Sequence, residues 1–334
     1  MTRLLACLLV CARVCLAGAP PEAEVQGLYE GSCKDAKGEC KLEARVVAQG
    51  KGEYKVFIRQ ALADGKIANV NCTAKTEGES VAFSGKAGDV EWQGTYAAGA
   101  FTGSCGEGCK LEVRRVQRKS PTLGKTPPAG AVVLLDGKSF DELTKRKKKD
   151  GTEDPWPQAA EDGSIPVAKG GMNSKQGFEG SFNYHVEFLI PLMPGAHGQG
   201  RGNSGVYLPN GDEIQVLDSF GDATYLGGGC GGIYKYKDPD TMESLALEPD
   251  KPEFKFSLAS LPPGEWQAYD IEYRVEKQDG KVVGKPKVTL YHNGIKIHDS
   301  FQLNGNAKKG TFHWQDHGCA VRYRNIWVQP VGEK

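Results

Sequence analysis

The residues best suited to chemistry lie in GRGNSGVYLPNGDEIQVLDSFGD, positions 200–222. Two short apolar runs, 206–208 and 214–217, flank an Asn210-Gly211 turn, and Glu213, Gln215 and Asp218 sit in or beside the second run. Side chains alternate faces along a strand, so Glu213, Gln215 and Leu217 share one side while Ile214 and Val216 share the other. If Ile214 and Val216 enter a core, Glu213 and Gln215 must project from the opposite face. There they either meet a ligand or simply face water, as one side of an antiparallel sheet often does.

Two further clusters favour a ligand. HWQDHGCAVRYRNIWV, positions 313–328, places Trp314, Gln315, Asp316 and His317 at a strand end, with Arg322 and Arg324 on one face of the next strand. HGQGRGNSG, positions 197–205, sets His197, Arg201 and Asn203 in a glycine-rich loop leading toward Glu213. Carboxylates and amides can hold sugar hydroxyls in pairs, and an indole face can stack on a pyranose ring. Taken singly, His317 reads equally well as a turn residue and Arg322 with Arg324 as a surface stripe. The chain has no His-Glu-x-x-His, no phosphate-binding glycine loop, no Gly-x-Ser-x-Gly elbow and no paired Cys-x-x-Cys. GGGCGG at 227–232 lacks the lysine and helix that a phosphate loop needs and is expected to be a flexible loop.

Stepping from these residues to their scaffold, 334 residues suffice for two modest domains. Lys+Arg and Asp+Glu are equal at 42 each, so nothing in the charge balance points to nucleic acid or an anionic membrane surface. Forty-four glycines, with no long helix-forming tract, favour many short strands. From position 132 onward, strand-like runs such as FNYHVEFLI, WQAYDIEYRV and PKVTLYHNGIKI are punctuated by Asp279-Gly280 and Asn293-Gly294. At least eight strands over about 200 residues predict an all-β jelly-roll sandwich over 132–330.

The first seventeen residues have the order of a signal peptide, with an early Arg, an apolar run and small residues before a cleavage point after Ala17. No other segment approaches the roughly 18 apolar residues of a membrane span. A secreted, periplasmic or cell-surface protein is expected, and its seven remaining cysteines then read as disulfide formers.

A repeat organises positions 25–117, a small all-β domain with no His. YEGSCKDAKGECKLEARV (29–46) resembles FTGSCGEGCKLEVRRV (101–116). Each reads as a hairpin stapled across its loop, Cys33 with Cys40 and Cys105 with Cys109, although counting equally allows crossed pairing between the repeats. Cys72, inside an Asn-Cys-Thr sequon, is left over. This domain carries no evident chemistry and looks like a structural or adhesion module. RKSPTLGKTPPAGA (118–131) reads as a Pro/Gly linker, and the basic run TKRKKKD (144–150) as a solvated loop.

Taken in order, GNSGVYL, DEIQVLDSFG, CGGIY, PPGEWQAYDIEYR, KVTLYHNG, QDHG and VRYRNIWV resemble the 3-keto-disaccharide hydrolase domain family over about 132–328. The resemblance implies a concanavalin A-like jelly roll and an exported protein acting on glycosides oxidised at C3. The sequence departs from that pattern where PNGDEIQ lacks an aromatic before the acid, where Cys319 replaces the usual Asn, and where SLPPGEW lacks a Cys. A relocated disulfide, Cys230 with Cys319, would account for both cysteine changes.

The implied chemistry is elimination. A C3 ketone acidifies the C2 proton, so one base, a stabiliser for the enolate oxygen and a proton for the leaving group suffice. Glu213 or His317 is the expected base, with Asp218 or Asp316 orienting it. Arg201, Asn203, Gln215, Trp314, Gln315 and Arg324 would bind substrate. No cofactor is required, but a divalent metal on Glu213, Asp218 or His317 is a further option for the enolate. The rival class is a carbohydrate-binding protein without turnover, because the fold does not decide function. A retaining glucanase would want acids at alternate strand positions, whereas here the set is Glu213, Gln215, Leu217.

Overall fold

The computed structural model describes residues 21–332 apart from 37, 146, 148, 149, 223 and 245–254. The expected leader at 1–17 and part of the basic run lie outside the described residues. Among the described residues no helix is long and apolar enough to cross a membrane.

The first eight strands are β1 (Gly27–Asp35), β2 (Gly38–Gly50), β3 (Glu53–Ala61) and β4 (Ile67–Glu77), then β5 (Ser80–Ala87), β6 (Val90–Ala97), β7 (Ala100–Cys105) and β8 (Lys110–Val116). Each is antiparallel to the next, and β8 pairs back onto β1, which closes a barrel and leaves no exposed edge. Strand alternation sends Tyr29, Val46, Val56, Ile58, Val81, Phe83, Phe101 and Val113 inward to a single apolar core. Local pairing, Cys33–Cys40 and Cys105–Cys109, staples the two hairpin ends, so crossed pairing is not what forms. Cys72 is a free, buried thiol in this core.

The remaining strands are β9 (Val132–Leu135), β10 (Leu143–Lys145), β11 (Ile165–Pro166), β12 (Met172–Ser174), β13 (Phe182–Leu189), β14 (Asn203–Tyr207) and β15 (Glu213–Leu217). They continue as β16 (Met242–Ser244), β17 (Lys255–Ser257), β18 (Trp266–Gln278), β19 (Lys281–His292), β20 (Ile295–Gln302), β21 (His313–Trp314) and β22 (Arg322–Pro330). A five-stranded sheet in the order β10-β12-β21-β14-β15 faces a larger sheet in the order β11-β22-β13-β18-β19-β20, with β9 also on β22. The expected all-β jelly-roll-type sandwich is thus the architecture present. Asp279-Gly280 and Asn293-Gly294 join β18, β19 and β20 with positive φ at both positions of each turn, the geometry of tight hairpins.

Between the sheets, Val206, Ile214, Val216, Met172 and Trp314 meet Tyr184, Tyr269, Ile271 and Tyr323. Several buried hydroxyls in this core are paired: Ser204 with Tyr323 at 2.7 Å, and Tyr269 donating to the Gln215 carbonyl at 2.7 Å.

Barrel and sandwich share a packed contact. Leu28, Val47 and Phe57 on the barrel exterior bury Phe220 of the sandwich. Fully enclosed beside them, Arg45 donates to the carbonyls of Phe220 (2.9 Å) and Leu258 (2.9 Å) and lies 4.8 Å over the Phe220 ring. The Pro/Gly segment is also fastened down. Gly124 N–H donates to Glu187 at 2.5 Å, Lys125 pairs with Asp270 at 3.0 Å, and Asn325 donates to the Lys125 carbonyl at 3.1 Å.

Candidate active site

The outer face of the five-stranded sheet carries the site. Register places Thr144, Asn173, His313, Tyr207 and Glu213 in one row, one residue per strand. Gly205 and Gln215 pair in the next row, and the Gln315 N–H donates to the Gly205 carbonyl at 2.9 Å. Asn203 and Leu217 form a third. The opposite parity sends Ile214, Val216, Val206 and Trp314 into the core, as the alternation of the second apolar run requires.

Glu213 is 7% exposed. Burial pushes its carboxyl up, against the Tyr207 hydrogen bond and the Lys235 charge, which both pull it down. Tyr207 receives a hydrogen bond from Gln315 Nε2 at 3.4 Å, and burial beside Glu213 keeps its phenol protonated. His313 packs edge-on against Tyr207, with ring centres 5.3 Å apart, and its Nδ1 pairs with Asn173 Oδ1 at 2.9 Å. Burial lowers the His313 pKa, against the upward pull of its hydrogen bond to the Met172 backbone.

An amide network walls the other side. Asn203 Nδ2 donates to the Gln199 backbone oxygen (2.7 Å) and Oε1 (3.1 Å), and Gln215 Nε2 donates to the same Oε1 at 2.9 Å. Gln199 in turn donates to Thr224 Oγ1 and to the Gly228 carbonyl, both at 2.9 Å. Asn203 Oδ1 is buried with no partner among the described residues. Beyond it, the Tyr225 and Tyr234 hydroxyls meet at 2.6 Å, and the Tyr234 N–H donates to the Glu213 carbonyl at 3.0 Å.

Several expected site residues are elsewhere. Arg201 is fully buried: its Nε donates to Asp218 at 2.6 Å and its Nη1 to the carbonyl of Ala48 on the barrel at 3.1 Å. Arg201 and Asp218 therefore hold the barrel contact and neither binds substrate nor orients a base. Trp314 is a core residue whose indole N–H donates to Tyr184 at 3.1 Å, so it offers no stacking face. Arg324 lies on the other sheet, bonded to Glu187 at 2.7 Å and stacked 3.9 Å over Trp266, away from Glu213. Asp316 caps a turn through the Gly170 and Gly318 N–H groups, and His317 is exposed beside it. Cys230 and Cys319 are free thiols. The first meets the Tyr269 hydroxyl in the core at 3.1 Å and the second faces the His317 carbonyl, so the expected bridge is absent.

Glu213, Asn203, Gln215 and Gln315 are brought together. Glu213, Asp218 and His317 are not, so they form no shared metal site; among the described residues the close set of potential ligands is Cys33, Cys105 and Cys109 in the barrel, whose sulfurs are taken up in the two disulfides. Tyr207, His313, Asn173 and Gln199 were missed. Parity could have found two of them: Tyr207 alternates with Val206, and His313 with the core residue Trp314.

Residues 130–329 match the family model described as a 3-keto-alpha-glucoside-1,2-lyase-like domain. The barrel lies outside that match. A crystal structure of a candidate glycosyl hydrolase from Parabacteroides distasonis is 31% identical, with a TM-score of 0.49, over 62% of this chain and 86% of that one. Comparison with curated proteins gave no match.

Proposed function

We propose, from the premise that the chain belongs to the 3-keto-α-glucoside-1,2-lyase-like family through residues 130–329, that this glycoside-acting enzyme cleaves glycosides oxidised at C3 by elimination. The observation that carries the reading is a single buried carboxylate, Glu213, surrounded by amides and a phenol, with Gln215 two residues along on the same face. Double-displacement hydrolysis needs two carboxyl groups at a fixed separation. Removal of a proton next to a ketone needs one base.

Glu213 takes the C2 proton, and the C2–H electron pair moves into the C2–C3 bond as the C3 carbonyl becomes an enolate. The enolate then re-forms the ketone and expels the C1 oxygen substituent, leaving a C1–C2 double bond. The departing oxygen collects a proton, and water adds across the double bond, hydroxyl to C1 and hydrogen to C2. Burial suits Glu213 to this work, because a raised pKa makes it a stronger base once ionised. The Lys235 cation and the Gln315 amide are positioned to offset enolate charge. The leader-like first seventeen residues support action outside the cytoplasm.

The test is a panel of 3-keto glycosides and their unoxidised parents. The expected result is release of the aglycone from the keto forms alone, with solvent deuterium entering C2 and loss of both in Glu213→Gln. Saturable sugar binding with no turnover would replace the reading with a lectin-like one.

A further inference from the structure

The barrel exterior is divided into three facets of different chemistry. One, built by Leu28, Arg45, Val47 and Phe57, is spent on the sandwich. A second, on β8, β1 and β2, is charged and self-paired: Arg118 bridges Glu30 and Glu43, Arg59 meets Glu43, and Arg114 meets Glu112. The third crosses β3 to β7 and is of another kind. Register aligns Lys55, Thr73, Ser84, Gln93 and Ser104 in one row, and Glu53, Lys75, Ala82, Thr95 and Thr102 in a parallel one.

These rows line a groove of about 1030 Å³. The wall can sag inward there because Gly94 has no side chain; a Cβ at that position would come within 2.5 Å of the Phe83 ring. Five strands at ordinary spacing make the groove about 19 Å long. Thr73, Ser84, Gln93, Thr95, Thr102 and Ser104 make no side-chain hydrogen bond to the rest of the described protein, so their donors and acceptors face outward unspent. Charge in the groove is confined to its β3–β4 end, where Lys75 pairs with Glu53 at 3.7 Å and Lys55 and Glu77 flank them, whereas the lining on β5, β6 and β7 is uncharged throughout. His197 closes one end, and two residues later Gln199 belongs to the amide wall of the candidate active site. Between them the Gly198 N–H is held by Asp222, itself within 4.0 Å of Lys55 at the end of the first row.

We infer that this groove binds a neutral, hydroxyl-rich polysaccharide and delivers the catalytic sandwich to it. Hydroxyl and amide side chains match sugar hydroxyls as partners, and the six unspent ones carry no charge. Without an exposed aromatic platform, the uncharged β5–β7 part of the groove offers only neutral hydrogen bonds, each of small net value, so affinity there is expected to be modest and insensitive to salt. The inference leans on the glycoside-acting assignment but not on the elimination chemistry.

The full chain would be run in native gels cast with mixed-linkage β-glucan, xylan, dextran or polygalacturonate, at low and high salt. Expected is retardation by at least one neutral polymer at both salts. It should be lost in Gln93→Arg/Thr95→Arg and kept in Lys41→Glu on the charged facet, with turnover of a small glycoside unchanged in both variants. Free migration of the wild type in every neutral gel would overturn the proposal. So would binding that survives the double substitution, or retardation by polygalacturonate alone that vanishes at high salt. Because the polymers are unoxidised, binding can succeed or fail whatever the enzyme does to 3-keto sugars.

Discussion

The Glu213 carboxylate occupies the space that a side chain on Gly205 would fill: a Cβ built there lands on Oε1. Gly205 sits on the neighbouring strand opposite Gln215, so this one bare position lets the acid lie flat over the sheet. Gly205→Ala should displace the carboxylate and reduce kcat by about 10²-fold, the scale expected of a misplacement near 1 Å. The strand survives such a change, so a thermal melt close to wild type should accompany the loss.

Tyr207 lowers the Glu213 pKa through its hydrogen bond, against the larger upward push of burial. Tyr207→Phe removes that counterweight, and the folded-state pKa rises further. The base works only when ionised, so the acid limb of a kcat/KM–pH profile should move to higher pH. An unmoved limb would show that Glu213 is not the group being titrated.

Arg201 and Asp218 form a buried pair that also reaches the barrel carbonyl of Ala48. Arg201→Met leaves Asp218 enclosed without its partner and should cost about 3–5 kcal/mol in urea unfolding. Turnover per folded molecule at low denaturant should change little, which separates this residue from the amides around Glu213.

Glu265 is 9% exposed, its Oε2 has no partner, and burial lifts its pKa to about 7 against the pull of Arg115 on the barrel. The unfolded chain loses this proton near pH 4.3, well before the folded one. The stability associated with Glu265 is therefore complete at acid pH and disappears as pH rises toward 7, a loss of about 4 kcal/mol. Urea midpoints at pH 5 and pH 8 should differ in the wild type, and the difference should shrink in Glu265→Gln.

What could be read in the sequence was set by alternation. Period-two runs and Asn-Gly or Asp-Gly turns announced the sandwich, and the parity of Ile214 and Val216 placed Glu213 and Gln215 on the working face. The same rule applied one strand over would have put Trp314 in the core and His313 at the site, but the indole was read for its affinity for sugars and not for its register. Arg201 and Asp218 were illegible for a different reason. Arg201 reaches the Ala48 carbonyl on a barrel more than a hundred residues away and Asp218 is enclosed with it, and no local pattern shows that charged side chains will be buried there. Closure of that barrel also depends on β8 returning to β1, a pairing no adjacent turn encodes.

The two staples of the barrel span only 7 and 4 residues, whereas Cys72, Cys230 and Cys319 end as thiols enclosed by packing. Short loops close at little entropic cost, so each staple can find its neighbour while the rest of the chain is still open. The three remaining sulfurs are protected by position alone: once the cores condense around them they cannot be reached. Among the seven cysteines of the described residues many wrong partners are available, and for each of the four that bond the partner is the one nearest in sequence.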